Sequence, residues 1–279
     1  MKRIIPILMT VLLLTSCKGA VHKTDTPVVY SSFYAMDSFV KTIGGENIVH
    51  HSVVPVGAEP HDFEPSAKDM AKLSDADLFV HSGLGIDDWV KDVVSELPDT
   101  VSVVCASEHI DGDGNDPHVW LSPTNAKEQL KSICDALSVV DEDNFPKYRQ
   151  RLAEYTEQID ALCEEYKNAG LEGKKLFVTH GAYGYLCAEF GIEQIALEGI
   201  SGESDPSPAQ MAQMVEQIKA EGAKYIFYDP LEKSKLADAV ASEAGIQTAP
   251  LYTFEGDPEH RDYVETMKLN LEQLKQGLL

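Results

Sequence analysis

Short apolar segments alternate with amphipathic helical patterns along both halves of this sequence of 279 residues. In the first half, segments typical of strands lie at 28–31, 51–54, 78–81 and 101–105. Between them, near 66–73 and 87–97, the apolar residues recur with helical spacing. Strands that alternate with helices predict a parallel sheet whose two faces are covered by helices.

Two long helical patterns interrupt this alternation in the middle of the chain. Ser122 can cap a helix, Pro123 suits its first turn, and apolar residues then recur at steps of three and four up to Val140. A second pattern runs from Pro146 to about residue 169, which corresponds to a helix about 35 Å long. We expect this second helix to connect two halves of the protein rigidly and to limit hinge movement.

The alternation resumes after this helix and predicts a second lobe. Its predicted strands are 176–179, 195–197, 225–228 and 248–251, and its helices lie near 183–190, 209–221, 234–244 and 263–274. The predicted fold is therefore α/β, with two (βα)4-type lobes of mainly parallel sheets joined by one long rigid helix. The predicted domains are an N-terminal lobe (28–143), the linking helix (144–169) and a C-terminal lobe (170–279), with a cleft between the lobes.

The N-terminus has the features of a targeting segment. Lys2 and Arg3 precede an apolar run at 4–14 that is too short to span a bilayer as a helix. The small residues before Cys17 resemble the bacterial lipobox, in which the cysteine is lipidated and becomes the first residue. We predict a signal peptide at 1–16, and a lipidated Cys17 with a flexible tether at 17–27. The alternative is a plain secretory signal with an incidental cysteine. Either way the protein is expected outside the cytoplasm, and with the lipid it would be membrane-anchored at a cell surface or in a periplasm.

The composition excludes two classes of partner. With 46 acidic and 23 basic residues, the chain has a formal net charge of −23, which argues against a nucleic-acid binder and against adsorption to anionic lipid.

The other four cysteines form no C-x-x-C pair and are interpreted as small buried hydrophobic residues, although a disulfide stays open. We expect a monomer.

Three of the nine histidines stand in unusual positions. His61 and His118 lie in loops punctuated by proline, and His180 ends a predicted strand. Ligands bind at the carboxyl ends of strands in open α/β sheets, and neutral imidazole is the commonest metal ligand. From the residues alone, two interpretations stay open: one shared metal site, or three separate polar loop residues.

Five segments together resemble a known family. They are Gly-Ala-Glu-Pro-His-Asp-Phe-Glu-Pro-Ser (57–66), Asp-Pro-His-Val-Trp-Leu-Ser-Pro (116–123), Thr-His-Gly-Ala-Tyr-Gly-Tyr-Leu (179–186), Gly-Glu-Ser-Asp-Pro-Ser-Pro (202–208) and Tyr-Ile-Phe-Tyr-Asp-Pro (225–230). In these segments the chain resembles the solute-binding lipoproteins of bacterial zinc and manganese ABC importers. In that family the first three segments each supply a metal-binding histidine, which the resemblance carries over to His61, His118 and His180.

The fourth ligand varies within the family. Some members use an aspartate after the last strand, but Phe254 falls near that place here. Zinc-binding members use a glutamate in a context similar to that of Glu255, which we rank first. Asp257, Glu59 and water are the alternatives, and both carboxylates are interpreted as solvated loop charges. Manganese-selective relatives have a carboxylate where this chain has His180. Three imidazoles and one carboxylate favour zinc over manganese.

The resemblance implies a protein that captures Zn2+ and delivers it to the permease and ATPase of an ABC importer. Manganese or iron capture is the alternative of the same class, and a zinc hydrolase or a surface adhesin are alternatives of other classes. An enzyme is not expected, because the chain has neither an H-E-x-x-H nor a G-x-S-x-G motif. The segment 106–116 corresponds to a longer His/Asp-rich loop of zinc-importing relatives and is interpreted as solvated, although a weak second cation stays open.

Overall fold

The structure is a computed structural model that describes residues 26–112, 116–199, 206–231, 234–256, 259 and 261–279. The predicted signal peptide, Cys17, most of the predicted tether and Asp257 lie outside these residues. Among the helices of the described part, none is long and apolar enough to cross a membrane.

The described strands form two four-stranded sheets with the same strand order, and every pairing is parallel. The first sheet has the order β2-β1-β3-β4, with β1 at Val28–Ser31, β2 at Val49–Ser52, β3 at Leu78–His81 and β4 at Ser102–Cys105. The second has the order β6-β5-β7-β8, with β5 at Lys175–Val178, β6 at Glu193–Ala196, β7 at Tyr225–Tyr228 and β8 at Gln247–Pro250. The predicted α/β class and the two parallel sheets are confirmed.

Helices connect and cover these strands. In chain order they are α1 (Tyr34–Gly44), α2 (Ala67–Leu73), α3 (Val90–Glu96), α4 (Pro123–Val140), α5 (Phe145–Lys167), α6 (Gly184–Phe190), α7 (Pro208–Glu221), α8 (Lys235–Ala244) and α9 (Tyr263–Leu278). Short 3-10 turns lie at Gly45–Asn47, Val119–Leu121 and Glu142–Asn144.

Two of the predicted strands are displaced from their true positions. β2 begins at Val49 rather than at residue 51, and β6 begins at Glu193 rather than at residue 195. Both are edge strands. Edge strands commonly contain polar residues. The apolar residues that mark such a strand in the sequence therefore begin later than the strand itself.

The predicted helix after Ser122 forms as expected. The Ser122 hydroxyl accepts a hydrogen bond from the backbone N–H of Asn125 at 3.1 Å, and Pro123 occupies the first turn of α4. Helix α5 has 23 residues and is therefore about 35 Å long. It packs against α1 and α4 of the first half and against α9 of the second.

A shared apolar core joins the two halves. Phe254, which follows β8, packs its ring against Tyr34 and Phe39 of α1 and against Tyr263 of α9. Near the far end of α5, the Tyr166 hydroxyl donates a hydrogen bond to the carbonyl of Met267 at 2.7 Å. Buried contacts as well as the long helix therefore hold the two sheets in place. The domain boundaries themselves stay a prediction.

The four described cysteines are free thiols. Cys134, Cys163 and Cys187 are buried and Cys105 is partly exposed. The three buried thiols agree with the prediction of small buried hydrophobic residues, whereas Cys105 does not.

Candidate metal centre

Four candidate donors follow the carboxyl ends of strands in both sheets. His61 lies in the connection from β2 to α2, and His118 lies directly before the 3-10 turn that leads into α4. His180 comes two residues after β5, and Glu255 lies in the loop after β8. This edge is where open α/β sheets bind ligands.

The three predicted histidines converge. One ring nitrogen from each of His61, His118 and His180 lies within 4.8 Å of the others. The Nε2 atoms of His61 and His118 are 3.2 Å apart, and the rings of His118 and His180 have centroids 5.1 Å apart. Two imidazole nitrogens bound tetrahedrally to one zinc ion are about 3.3 Å apart, because the Zn–N bond is about 2.0–2.1 Å. The arrangement therefore has the spacing of a shared tetrahedral site.

Glu255 completes this group from the second sheet. Its side chain is 3% exposed, and Oε1 lies 3.1 Å from Nε2 of His118. The same oxygen has no hydrogen-bond donor in suitable geometry within the described part of the chain. A buried acceptor without a donor costs about 1–3 kcal/mol, and a bound cation would remove that cost. The donor set therefore fits a divalent metal with nitrogen preference.

Glu59 is a second carboxylate within reach of the same place. Oxygen and nitrogen atoms of Glu59, His61 and Glu255 also lie within 4.8 Å of one another. Glu59 is exposed, and its Oε1 accepts a hydrogen bond from the backbone N–H of His61 at 3.2 Å. The sequence favours a solvated charge for Glu59. The structure leaves it solvated but close enough to bind a metal beside Glu255.

Asp116 orients His118, a role that the sequence did not suggest. Its Oδ1 atom accepts hydrogen bonds from the backbone N–H of His118 at 2.9 Å and from the ring Nδ1 at 2.7 Å. A carboxylate on Nδ1 leaves Nε2 free to face the site, as is usual for metal-binding histidines. A side chain at Gly184 would place its Cβ 2.5 Å from Asp116, so glycine is needed there. The Asp-Pro-His spacing is the signal that could have suggested this pair.

The pKa values of the two histidines of the first half are shifted in opposite directions. Burial lowers the pKa of His61 to about 4, with smaller contributions from the neighbouring imidazoles. Burial also disfavours the charged form of His118, but the hydrogen bond to Asp116 and the nearby negative charge of Glu255 outweigh it and raise the pKa of this ring. Burial opposes ionisation of Glu255 as well, yet the surrounding imidazoles lower its pKa. The centre therefore places a carboxylate whose pKa is lowered beside a ring whose pKa is raised.

An acidic cavity of about 700 Å3 adjoins this centre, and His61 forms part of its wall. No lysine or arginine is among its lining residues. The acidic residues that line it are Asp62, Glu64, Asp88, Asp92 and Glu96. A cleft lined by one sign of charge raises the local concentration of counterions. This cavity therefore attracts cations toward His61.

The segment 106–116 shows no second cluster in its described part. Glu108, His109 and Asp111 belong to no group of three potential ligands among the described residues. The interpretation of this segment as a solvated loop agrees with that finding.

Comparisons with known proteins bear on the whole chain. A sequence model of the family described as "Zinc-uptake complex component A periplasmic" matches residues 29–277. The high-affinity zinc uptake system protein ZnuA of Bacillus subtilis is 34% identical over 293 aligned positions, which cover 95% of this chain and 92% of that protein.

Two solved structures are similar in fold and sequence. The Zn(II)-bound ZnuA-like domain of Streptococcus pneumoniae AdcA has a TM-score of 0.81 and 29% identity, covering 91% of this chain and 99% of the domain. The laminin binding protein of Streptococcus agalactiae, described as an adhesin with metal transporting activity, has a TM-score of 0.86 and 31% identity. That match covers 91% of this chain and all of the other.

Proposed function

The chain belongs to the family of periplasmic zinc-uptake component A proteins, and from this membership we propose that it captures Zn2+ outside the cytoplasm and delivers it to the permease and ATPase of an ABC importer. Members of this family are extracytoplasmic metal-binding components of importers and not enzymes. This agrees with the predicted class of protein.

The convergence of His61, His118, His180 and Glu255 is the observation that carries this proposal. Three imidazole nitrogens and one carboxylate oxygen suit zinc better than manganese or calcium, which prefer oxygen ligands. Four protein ligands also close a tetrahedral shell, whereas a catalytic zinc keeps one position open for water. A closed shell of this kind gives no support to a zinc hydrolase. Glu59 is the alternative carboxylate.

We infer membrane anchoring of the protein from its N-terminal sequence. We expect the signal peptide at 1–16 to be removed and Cys17 to carry the lipid that anchors the protein. One acyl chain anchors a protein only marginally, so more than one is expected. Metabolic labelling with a fatty acid, compared between the natural chain and Cys17→Ser, tests this. Label that persists in Cys17→Ser would contradict it.

Competition titration of the purified protein tests the metal. Zinc should displace manganese when both are present in equal amounts, and crystals grown with zinc should give an anomalous signal at the zinc edge within the four-residue centre. Preferential binding of manganese would overturn the assignment of zinc. Delivery is tested in a bacterium that lacks its own zinc-binding component and expresses this protein. Expression should restore its growth on zinc-depleted medium.

Adhesion is a second candidate function, favoured by the likeness to the laminin binding protein. Immobilised laminin should retain the purified protein at physiological ionic strength if this candidate is correct. Absence of binding in the presence and absence of zinc would reject it and would leave zinc capture untouched.

A further inference from the structure

The loop after β8, residues 251–256, carries Glu255 and is called here the ligand loop. Side chains from other elements hold its first residues. The hydroxyl of Tyr183 donates a hydrogen bond to the carbonyl of Leu251. The Asn270 amide donates to the carbonyl of Tyr252 at 2.8 Å and accepts from its N–H at 2.9 Å.

Thr253, the next residue, is held by two buried side chains. Asp229 directly follows β7 and uses Oδ2 to accept hydrogen bonds from the Thr253 N–H, at 2.7 Å, and from its hydroxyl. Its other oxygen accepts from the N–H of Leu231 at 2.7 Å. From the first half of the chain, the indole N–H of Trp120 donates to the carbonyl of Thr253 at 2.7 Å. Both polar backbone groups of Thr253 are therefore tied to side chains distant in sequence.

The following residue shows why these ties are needed. Phe254 has a φ of 63°, which is the left-handed region, and its side chain is buried. Such a conformation is strained for a residue other than glycine, and it persists only where the surroundings hold it. Glu255 comes directly after Phe254. Its carboxylate can stay beside His118 only while the ligand loop keeps this conformation.

We propose that Trp120 and Asp229 are positioning residues, which hold Thr253 and thereby keep the Glu255 carboxylate at the three imidazoles before a cation arrives. This inference rests on the proposed zinc-binding function. A carboxylate fixed in this place favours a four-coordinate ion, and a mobile one admits water and higher coordination numbers. Residues that orient metal ligands typically contribute about 10–100-fold to metal affinity. Zinc affinity, and its excess over manganese affinity, should both depend on this pair.

The two tryptophans of the chain provide a matched test. Trp120→Phe keeps an aromatic ring but removes the N–H that reaches Thr253. Trp89 also packs among aromatic rings, and its N–H has no hydrogen-bond partner within the described residues. We expect Trp120→Phe to weaken zinc binding about 10–100-fold and to narrow the ratio of zinc to manganese affinity. Trp89→Phe should change neither quantity.

Asp229 has a matched control in the other sheet. Asp87 is also buried and also accepts three hydrogen bonds: two from backbone N–H groups, of Ser82 at 2.7 Å and Gly83 at 3.0 Å, and one from the Ser32 hydroxyl at 2.7 Å. Asp229→Asn and Asp87→Asn should therefore lower the melting temperature similarly. Only Asp229→Asn should weaken zinc binding.

A double-mutant cycle tests whether the effect passes through Glu255. In Glu255→Gln, adding Trp120→Phe should cause little further loss of zinc affinity, because the carboxylate that it positions is already gone. In the cobalt-loaded protein, Trp120→Phe should also reduce the strong visible absorption of a four-coordinate ion. Additive losses, or wild-type affinity in Trp120→Phe, would overturn the positioning role while zinc capture stands. If the unsubstituted protein bound no zinc, that result would instead reject the proposed function.

Discussion

The two sheets share one strand order, but only one donor in each sheet, His118 and Glu255, follows an equivalent strand. In the first, His61 follows β2 and His118 follows the edge strand β4; in the second, Glu255 follows the corresponding edge strand β8. His180 follows β5, whose counterpart β1 leads instead into the fully buried Ser32 and Phe33. The architecture is repeated, whereas the metal centre is not.

The two halves also differ in what they contribute electrically. The first supplies a partly exposed ring, His61, and a fully buried one, His118, which Asp116 orients. The second supplies the carboxylate of Glu255, held in place by the ligand loop. Neither half provides four candidate ligands by itself, and the Glu255 carboxylate beside His118 comes from the second half.

Removal of one imidazole from each half should have the largest effect. His118→Ala and His180→Ala should each weaken zinc binding by more than about 100-fold, the upper end of what an orienting residue contributes. Chelator competition measures the affinities, and His109→Ala, at an exposed histidine outside the cluster, should leave them unchanged. Nearly normal zinc affinity in His180→Ala would contradict a centre shared by both halves, since the ligands of the first half would then be sufficient for binding.

Removal of the Asp116 charge, which lies beside Nδ1 of His118, should have the next largest effect on zinc affinity. Asp116→Asn should weaken zinc binding about 10–100-fold, because the ring loses the carboxylate that raises its basicity and fixes its tautomer. Asp37→Asn is the matched control, since Asp37 lies 2.9 Å from Nδ1 of His50 in a pair outside the centre. Equal losses in both variants would point to a general effect of charge.

Acid should weaken zinc binding through His118 before it does so through His61. The raised pKa of His118 means that this ring takes a proton as the pH falls, and zinc must displace that proton. Below the ordinary imidazole value of about 6.5, this ring should lower the affinity about tenfold per pH unit. His61, with a pKa of about 4, stays neutral down to that pH.

Titrations of zinc between pH 7.5 and pH 5, roughly spanning the imidazole range, measure this dependence. His61→Ala should lower the affinity at every pH but leave the slope against pH unchanged. Affinity independent of pH in the natural protein would contradict the three-histidine centre. A slope that falls in His61→Ala would show that the two rings have been assigned in the wrong order.

The acidic cavity beside His61 should affect the rate of binding more than the affinity. Asp92→Asn with Glu96→Gln should slow zinc association by less than about tenfold, with a weaker dependence on ionic strength. Stopped-flow measurements of tryptophan fluorescence follow the rate. Glu216→Gln with Glu272→Gln changes the net charge equally on exposed faces of α7 and α9 and should have no such effect. Equal slowing by both pairs would show that only net charge matters.

The smallest expected change is in the relative position of the two halves. Helix α5 and the core around Phe254 join them, and Glu189 of α6 accepts hydrogen bonds from Ser122 and Thr124 at the start of α4. Solution scattering should therefore give the same radius of gyration with and without zinc. A wide rotation between metal-free and loaded crystals would show that these contacts do not hold the halves together.

Most of the fold could be predicted from local patterns. The limits of β1, β3, β7 and α4 follow from apolar runs, from helical spacing and from the cap at Ser122. These signals lie within a few residues of the element that they specify. The largest displacements, of two residues, are in the polar edge strands β2 and β6, whereas β5 and β8 are displaced by one residue. Burial on both faces is what makes a strand recognisable as an apolar run.

The centre could be predicted only in part. The family-like segments pointed to His61, His118 and His180, yet no local pattern states that loops from two sheets meet. Asp116, Trp120 and Asp229 stood in the same segments without a visible role, and Glu255 was ranked above Glu59 only through the family resemblance. Hydrogen bonds and metal sites require atoms within about 3 Å, and that proximity arises when the chain packs into one body. The residue types that bind zinc are therefore present in the sequence, whereas their common position is a property of the packed chain.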